Sequence, residues 1–230
     1  MLAFVSEIME MKKTVLILAG GKSQRFQSFD KCFITFNNKP LIQHAIDKIS
    51  NVADEIIVAA RDKKQGEQIR NEIKIPNKTV LVFDTLKGFG PLAGFLSGLE
   101  RASFPYSLVI GCDMPCINEN VVELLFEIAS MGYDAVVPRW ENRMLEPLHA
   151  VYQREPMLAA IKEAAKKGDE MIFNVLSQLK NVNFLPMNKI KEIDPSLKTF
   201  TNINTPEKLE KFQISKIAGS AHLPANHEMV

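Results

Sequence analysis

Short apolar runs alternate along this chain with segments whose apolar positions recur every three to four residues. The runs are Val15–Ala19, Glu55–Ala60, Thr79–Phe83, Tyr106–Gly111 and Ala135–Pro138. Each is brief, rich in β-branched residues and followed by turn residues, which predicts buried strands. Between them, Pro40–Ile49 sets Leu41, Ala45, Ile46 and Ile49 on one helical face, with proline at the opening position that helices tolerate. Lys63–Ile73 is charged and predicts an exposed helix; Leu92–Arg101 and Glu119–Met131 predict two more. Strand and helix alternating at this pace predict an α/β fold, a mostly parallel sheet with helices on both faces. From Glu141 the pattern loosens. Leu148–Tyr152 predicts a strand, Pro156–Lys166 a helix, and Thr205–Phe212 a terminal helix with Thr205 as its cap. No repeat or linker interrupts the series. It therefore predicts one domain over residues 13–213, an N-terminal extension at 1–12 that ends beside a second start position at Met11, and a loose C-terminal tail at 214–230.

Composition narrows the class. With 230 residues, 46% of them hydrophobic, the chain can bury one large core. A formal net charge of +1 gives no broad cationic field for nucleic acid or an anionic membrane. No apolar run approaches the roughly 20 residues of a membrane span. Glu7 and Glu10 behind the apolar Met1–Phe4 argue against a secretory signal. Cys32, Cys112 and Cys116 form no Cys-x-x-Cys pair, and an odd count suits reduced thiols in a cytoplasm. Cys112-x-x-x-Cys116 lacks the second ligand pair of a zinc site.

Chemistry gathers at the ends of the predicted strands. Leu18-Ala19-Gly20-Gly21-Lys22-Ser23-Gln24-Arg25, followed by Asp30-Lys31, turns an apolar run into a glycine turn and then a cationic loop. Glycine lets a ligand approach the main chain, and Lys22, Arg25 and Lys31 can neutralise phosphate. The loop is not a Walker A motif, whose first glycine would fall at Leu16, and its adjacent glycines do not make a dinucleotide fingerprint. Taken alone it could equally be a tight turn with surface lysines. Asp84 heads a glycine-rich loop that runs through Gly88 and Gly90 to Pro91 and Gly94. Its carboxylate suits adjacent N–H donors such as those of guanine, or simply caps a turn. Asp113, in Gly111-Cys112-Asp113-Met114-Pro115, is a candidate Mg²⁺ ligand or a turn residue; Cys112 and Met114 read as packing. His149 reads as a half-buried, satisfied histidine and not as a general base. Parallel strands place the loops at 20–31, 84–92 and 112–115 on one edge of the sheet, where ligands bind in such folds.

Together these segments resemble the molybdenum cofactor guanylyltransferase (MobA-like nucleotidyltransferase) family. The matching pieces are Leu18-Ala19-Gly20-Gly21-Lys22-Ser23-x-Arg25, Asp30-Lys31, Lys39-Pro40-Leu41, Asp84 with Gly90-Pro91-Leu92-Ala93-Gly94, and Cys112-Asp113-Met114-Pro115. Glu146-Pro147-Leu148-His149-Ala150-Val151-Tyr152 and Asn202-Ile203-Asn204-Thr205-Pro206 complete the order. The resemblance implies a Rossmann-like nucleotidyltransferase fold and transfer of GMP from GTP to Mo-molybdopterin, with release of pyrophosphate. It implies backbone contacts to GTP from Leu18, Ala19 and Gly20, with Gly21 supporting the turn. Lys31 and Arg25 would meet the phosphates, Asp84 guanine or its ribose side, and Asp113 the nucleotide and Mg²⁺. Arg25, Lys31 and Asp113 are the catalytic set. Protein partners that deliver the pterin or take the finished cofactor belong to the same picture. Two positions depart from the family: Gln27 stands where glycine is common, and Ala60-Arg61 where an asparagine often follows the second strand. Rival readings within the class are cytidylyl transfer to molybdopterin, guanylyl transfer to cobinamide phosphate, and transfer to a sugar phosphate. Outside it stand a Rossmann oxidoreductase and a non-catalytic nucleotide sensor.

Overall fold

The computed structural model describes residues 11–20, 30–205 and 207–210. A seven-stranded sheet forms its centre. In chain order its strands are β1 (Thr14–Leu18), β4 (Glu55–Ala60), β5 (Thr79–Phe83), β6 (Tyr106–Gly111), β7 (Ala135–Arg139), β8 (His149–Gln153) and β9 (Val182–Pro186). A separate two-stranded ribbon pairs β2 (Thr35–Phe36) with β3 (Lys39–Pro40). Across the sheet the order is β5-β4-β1-β6-β8-β7-β9. All neighbours are parallel except those of β8, which runs against both β6 and β7. The order turns back at β1, between β4 and β6. This is the switch point outside which open α/β sheets take their ligands.

The strands are continuous apolar runs because both faces are covered. Val15 and Ile17 of β1, Ile56 and Val58 of β4, and Leu108 and Ile110 of β6 pack on one face. That face is covered by helices α1 (Leu41–Ile49) and α4 (Glu119–Ala129), with Ile69 of α2 (Lys63–Glu72) and Ile190 of α7 (Met187–Lys191) at its margins. Leu16, Ile57 and Val109 alternate to the other face, beneath α3 (Pro91–Arg101), α5 (Arg154–Lys166) and α6 (Ile172–Leu176). The α1 face predicted from periodicity is the face that packs: Leu41, Ala45, Ile46 and Ile49 are all buried. Helix α2 is less exposed than its charge suggests, since Gln65, Gly66 and Ile69 turn inward.

Helix α3 lies unusually close to the sheet. A Cβ at Gly98 would stand 2.3 Å from Leu16 Cδ1, and one at Gly94 would stand 2.9 Å from Leu18 Cδ2. These two glycines, one turn apart, let the helix settle onto β1. Leu16 is fully buried, so it has nowhere to yield. Gly98→Ala gains about 1 kcal/mol of helix propensity but overpacks at a cost of ~1–3 kcal/mol. The expected net effect is a loss of about 1 kcal/mol in urea unfolding; an unchanged midpoint would contradict the close approach.

The ribbon is a feature the apolar pattern did not announce. Asn37 and Asn38 both have positive φ, 46° and 60°, the signature of a two-residue hairpin turn that asparagine tolerates. Leu41 N–H donates to Ile34 C=O at 2.9 Å. Phe36 and Leu41 pack against Ile203, which draws the late segment around 202–204 toward the start of the chain. At the N-terminal side, Met11 packs on the core and Lys12 pairs with Asp54 at 2.8 Å. Residues 1–10, the tail at 214–230, and Pro206, Lys211 and Phe212 of the predicted terminal helix lie outside the described residues. Within that helix, 207–210 is helical and Thr205 caps it, accepting from Lys208 N–H at 3.2 Å.

Candidate active site

Each strand near the switch point is held one residue past its formal end. Ala19 N–H donates to Ala59 C=O (2.9 Å), Asp84 N–H to Ala60 C=O (3.0 Å) and Cys112 N–H to Leu18 C=O (3.2 Å). The loops that follow therefore start from fixed points on the carboxyl edge. They enclose a cavity of about 350 Å³ lined by Leu18, Gly20, Lys31, Asp84, Gly90, Pro91, Gly94, Gly111 and Asp113, with Leu148 entering from the reversed strand β8. Four segments distant in sequence thus meet around one space.

Asp113 enters the cavity by alternation. Cys112 and Met114 on either side are buried, so the side chain between them faces outward from the core. Ile203 N–H donates to its carbonyl at 2.8 Å. Gly111 makes room for the carboxylate, because a Cβ there would lie 2.6 Å from Asp113 Oδ1. Lys31 Nζ stands 3.6 Å from Asp113 Oδ2. That is an ion pair looser than a hydrogen bond, and both groups remain free to turn to a ligand.

Lys31 is placed by its neighbours. It opens a single 3-10 turn, Lys31–Phe33, anchored by the fully buried Cys32. Asp30, just before it, is gripped by Arg61, with Nη1 to Oδ1 at 2.6 Å and Nη2 to Oδ2 at 3.2 Å. Arg61 Nε also donates to Asp62 at 3.0 Å. These carboxylates hold the guanidinium more firmly charged than usual. Buried Gln65 accepts from Arg61 N–H (2.8 Å) and donates to Ala19 C=O (3.0 Å). It thereby joins the turn after β1 to the turn after β4. Removing the guanidinium strands Asp30 in a half-buried place. Arg61→Met should cost about 1–2 kcal/mol of stability, the scale of hydrogen bonds to a charged group, read as a lower urea midpoint.

Asp84 lacks the partners its charge needs. Its Oδ1 is buried with no hydrogen-bond partner among the described residues. Gly20 and Gly94 bring backbone against it, since a Cβ on either would lie 3.0 and 3.5 Å from its oxygens. Burial raises its carboxyl to about 6; Arg61 pulls the value down and Asp62 pushes it up. An orphaned acceptor in a cleft calls for donors from outside the chain. Above it, Gly88 and Gly90 take positive φ, 82° and 50°, and deliver Pro91 at the first position of α3. The N-terminus of α3 consequently lines the cleft; Pro91 has no N–H and the Leu92 and Ala93 N–H groups donate to Phe89 C=O (3.0 Å) and Gly90 C=O (3.4 Å), so what it turns toward an anion is the positive end of the helix dipole.

The comparisons with known proteins fit this layout. The family described as MobA-like NTP transferase domain matches residues 15–182. The chain belongs to the MobA-like NTP transferase family. A Methanosarcina mazei relative named probable molybdenum cofactor guanylyltransferase is 39% identical over 200 residues, covering 86% of this chain and 88% of its own. One of the same name from Methanosarcina acetivorans is 36% identical over 214 residues, covering 92% and 94%. The crystal structure of molybdopterin-guanine dinucleotide biosynthesis protein A from Archaeoglobus fulgidus superposes with a TM-score of 0.76 at 29% identity, over 90% of this chain and 99% of that one.

Membership in the MobA-like family gives the sequence-derived residues a common frame. Leu18, Gly20, Lys31, Asp84 and Asp113 all line the one cleft. Ala19 does not. Its side chain is buried, and its N–H and C=O are already bonded to Ala59 and Gln65, so it sets the position of Gly20. Gly21 and Arg25, with Gln27, lie outside the described residues. At the family's asparagine position, Arg61 directs its guanidinium to Asp30 and Asp62. Arg61 and Gln65 were missed as positioning residues; the only signal was a polar pair behind a buried strand. His149 is fully buried, not half-buried, and burial lowers it to about 4. Its Nε2 faces Thr199 Oγ1 at 3.3 Å, and its ring packs on Phe200 at 5.0 Å. It is a neutral anchor, absent from the cleft lining. Cys112 and Cys116 join no group of three or more metal-ligating side chains among the described residues. No helix among the described residues is long and apolar enough to cross a membrane.

Proposed function

We propose that this chain transfers GMP from GTP to Mo-molybdopterin, forming the guanine dinucleotide cofactor and pyrophosphate. The relatives' names support the reaction. The observation that carries it onto this chain is the convergence of Lys31, Asp84 and Asp113 on one cavity beside the α3 N-terminus.

The cavity spans the two ends of a nucleotide. Asp84, orphaned and half-buried, takes the N1–H and 2-amino donors of guanine, and those bonds favour its ionised form. The Lys31 ammonium takes the phosphates, favoured by the positive end of the α3 dipole. Asp113 fits a hard divalent ion: it offers one partly exposed carboxylate on a strand end, and Mg²⁺ is usually held by one or two carboxylates plus substrate phosphates and water. When bound, Mg²⁺ would offset the repulsion between the two anionic substrates and stabilise charge on the leaving pyrophosphate.

An oxygen of the pterin's terminal phosphate attacks the α-phosphorus of GTP as the bond to the β-phosphate oxygen breaks. A phosphate monoester is largely dianionic near pH 7, so the attacking group needs no general base, in keeping with a buried His149. Alignment supplies much of the acceleration. Lys31, only loosely paired with Asp113, would turn to the phosphates and follow the charge that develops on them.

The test is incubation of the purified protein with Mg²⁺, Mo-molybdopterin and either GTP or CTP, followed by mass analysis. The expected product is the guanine dinucleotide with stoichiometric pyrophosphate. Product from CTP alone would move the activity to cytidylyl transfer. Absence of product with both, under conditions where GTP binds, would leave a nucleotide-binding protein.

A further inference from the structure

The connection between β7 and β8 carries a carboxylate that the mechanism above does not use. Glu146 is half-buried where the chain enters the reversed strand. Its N–H donates to Pro138 C=O at 2.9 Å, and its carbonyl accepts from His149 N–H at 3.1 Å. The side chain is fixed as firmly. Trp140 Nε1 donates to Oε1 at 2.6 Å, and the indole packs edge-on against Phe200 at 6.0 Å. The other oxygen, Oε2, takes no hydrogen bond among the described residues. Burial raises the carboxyl, while the Trp140 bond and the charge of nearby Lys208 favour its ionised form. Lys208 in turn donates to Asn202 Oδ1 at 2.9 Å, and the next residue, Ile203, is bonded to the Asp113 carbonyl. Glu146 therefore stands beside the segment pinned to the aspartate at the reaction centre.

Position along the edge sets the scale. β6, β8 and β7 are successive neighbours, so two strand spacings separate the end of β6 from the end of β7, about 10 Å. A fused-ring phosphate with its phosphate at Asp113 reaches that far. A carboxylate held rigid by an N–H donor, with capacity left for more, is matched to two adjacent N–H groups on a planar ring.

We propose that Glu146 reads the ring edge of the acceptor, its carboxylate taking the paired N–H donors of the 2-amino-4-oxo pyrimidine that a pterin presents. The assignment rests on the acceptor class given under Proposed function. Guanine carries the same donor pair, so Asp84 inside the cleft and Glu146, two residues before the cleft-lining Leu148, act as equivalent receptors for the two rings being joined. Trp140 acts through Glu146 as a positioning residue.

The experiment measures equilibrium binding of pterin and of lumazine, in which an oxo group replaces the 2-amino group, to the full chain loaded with GTP and Mg²⁺. The wild-type protein should prefer pterin by at least about tenfold, because lumazine turns an oxygen toward the carboxylate. Glu146→Gln should erase that preference while the GTP dissociation constant stays unchanged. A Gln variant that discriminates as the wild type does overturns the assignment, as does a wild type that binds both rings equally. If the Gln variant loses GTP binding through misfolding, Trp140→Phe decides. It keeps the ring and removes the N–H, and the preference should fall severalfold; an unaltered preference again overturns the proposal. Binding is read without turnover, so a failure of GMP transfer to Mo-molybdopterin would count against the proposed reaction alone.

Discussion

Asp113→Ala should lower kcat at least thirtyfold at saturating GTP and Mg²⁺, with the fold intact. Losing one preorganised electrostatic contact costs at least ~2 kcal/mol of transition-state stabilisation. Among the described residues lining the cleft, Asp113 is the acid that forms an ion pair with Lys31, and Gly111, Cys112 and Met114 fix how it projects. Lys31→Ala should cost a similar amount, for a different reason: it removes the charge that follows the phosphates and leaves Asp113 unpaired. Because the two side chains face each other at 3.6 Å, their losses should not add, and the double variant should be little worse than the poorer single one. Single-turnover GMP transfer measures this directly. Near-normal rates in both single variants would remove Asp113 and Lys31 from the chemistry.

Asp84→Asn should make the empty protein more stable and bind GTP less well. The carboxyl sits at about 6 in the folded chain, against 3.8 as its ordinary value. A folded value raised above the unfolded one means that the ionised form is the disfavoured one. Below about pH 4 both states are protonated and there is no penalty; the penalty grows as pH rises to 6 and is complete above it. Two pKa units correspond to about 3 kcal/mol, and partial solvent access reduces this to about 1–2 kcal/mol. The amide escapes that cost, so urea unfolding at pH 8 should show a gain of this size, fading toward pH 4. Affinity should move the other way. Asparagine turns either a neutral oxygen or an N–H toward guanine's donors, and GTP binding should weaken by ten- to a hundredfold, the scale of hydrogen bonds to a charged acceptor. An unchanged GTP dissociation constant would place the base elsewhere.

Much of the sheet was legible because burial on both faces produces apolar runs that no helix of that length would share. Glu55–Ala60 and Tyr106–Gly111, buried throughout, stand as read from the sequence; Thr79–Phe83 keeps its bounds but is an edge strand, only partly buried and not the buried strand expected. The second half was harder. β9 is an edge strand in which Val182, Asn183 and Phe184 are only partly covered or exposed, so it carries no continuous apolar signal. The direction of β8 has no local signature at all, because residues alternate identically whichever way a strand runs. Its reversal brings the start of the strand, not its end, to the ligand edge. That is why Leu148 lines the cleft, although the sequence offered only an acid and a histidine near an apolar run. The site residues were legible where chemistry sat alone at a strand end: Gly20, Lys31, Asp84 and Asp113. They were illegible where a polar side chain worked on the backbone of a distant turn, as Gln65 does.

The backward course of β8 also divides the molecule's obligations. On the proposed donor side, the turns after the forward-running strands β5 and β6 lead into the covering helices α3 and α4, so altering one disturbs the packing of a whole layer. The opposite half is served by a hairpin whose arms merely lead out of one strand and into the next. With the acceptor read as proposed above, descendants of this scaffold can trade that hairpin, and with it their choice of recipient, while leaving the donor half untouched.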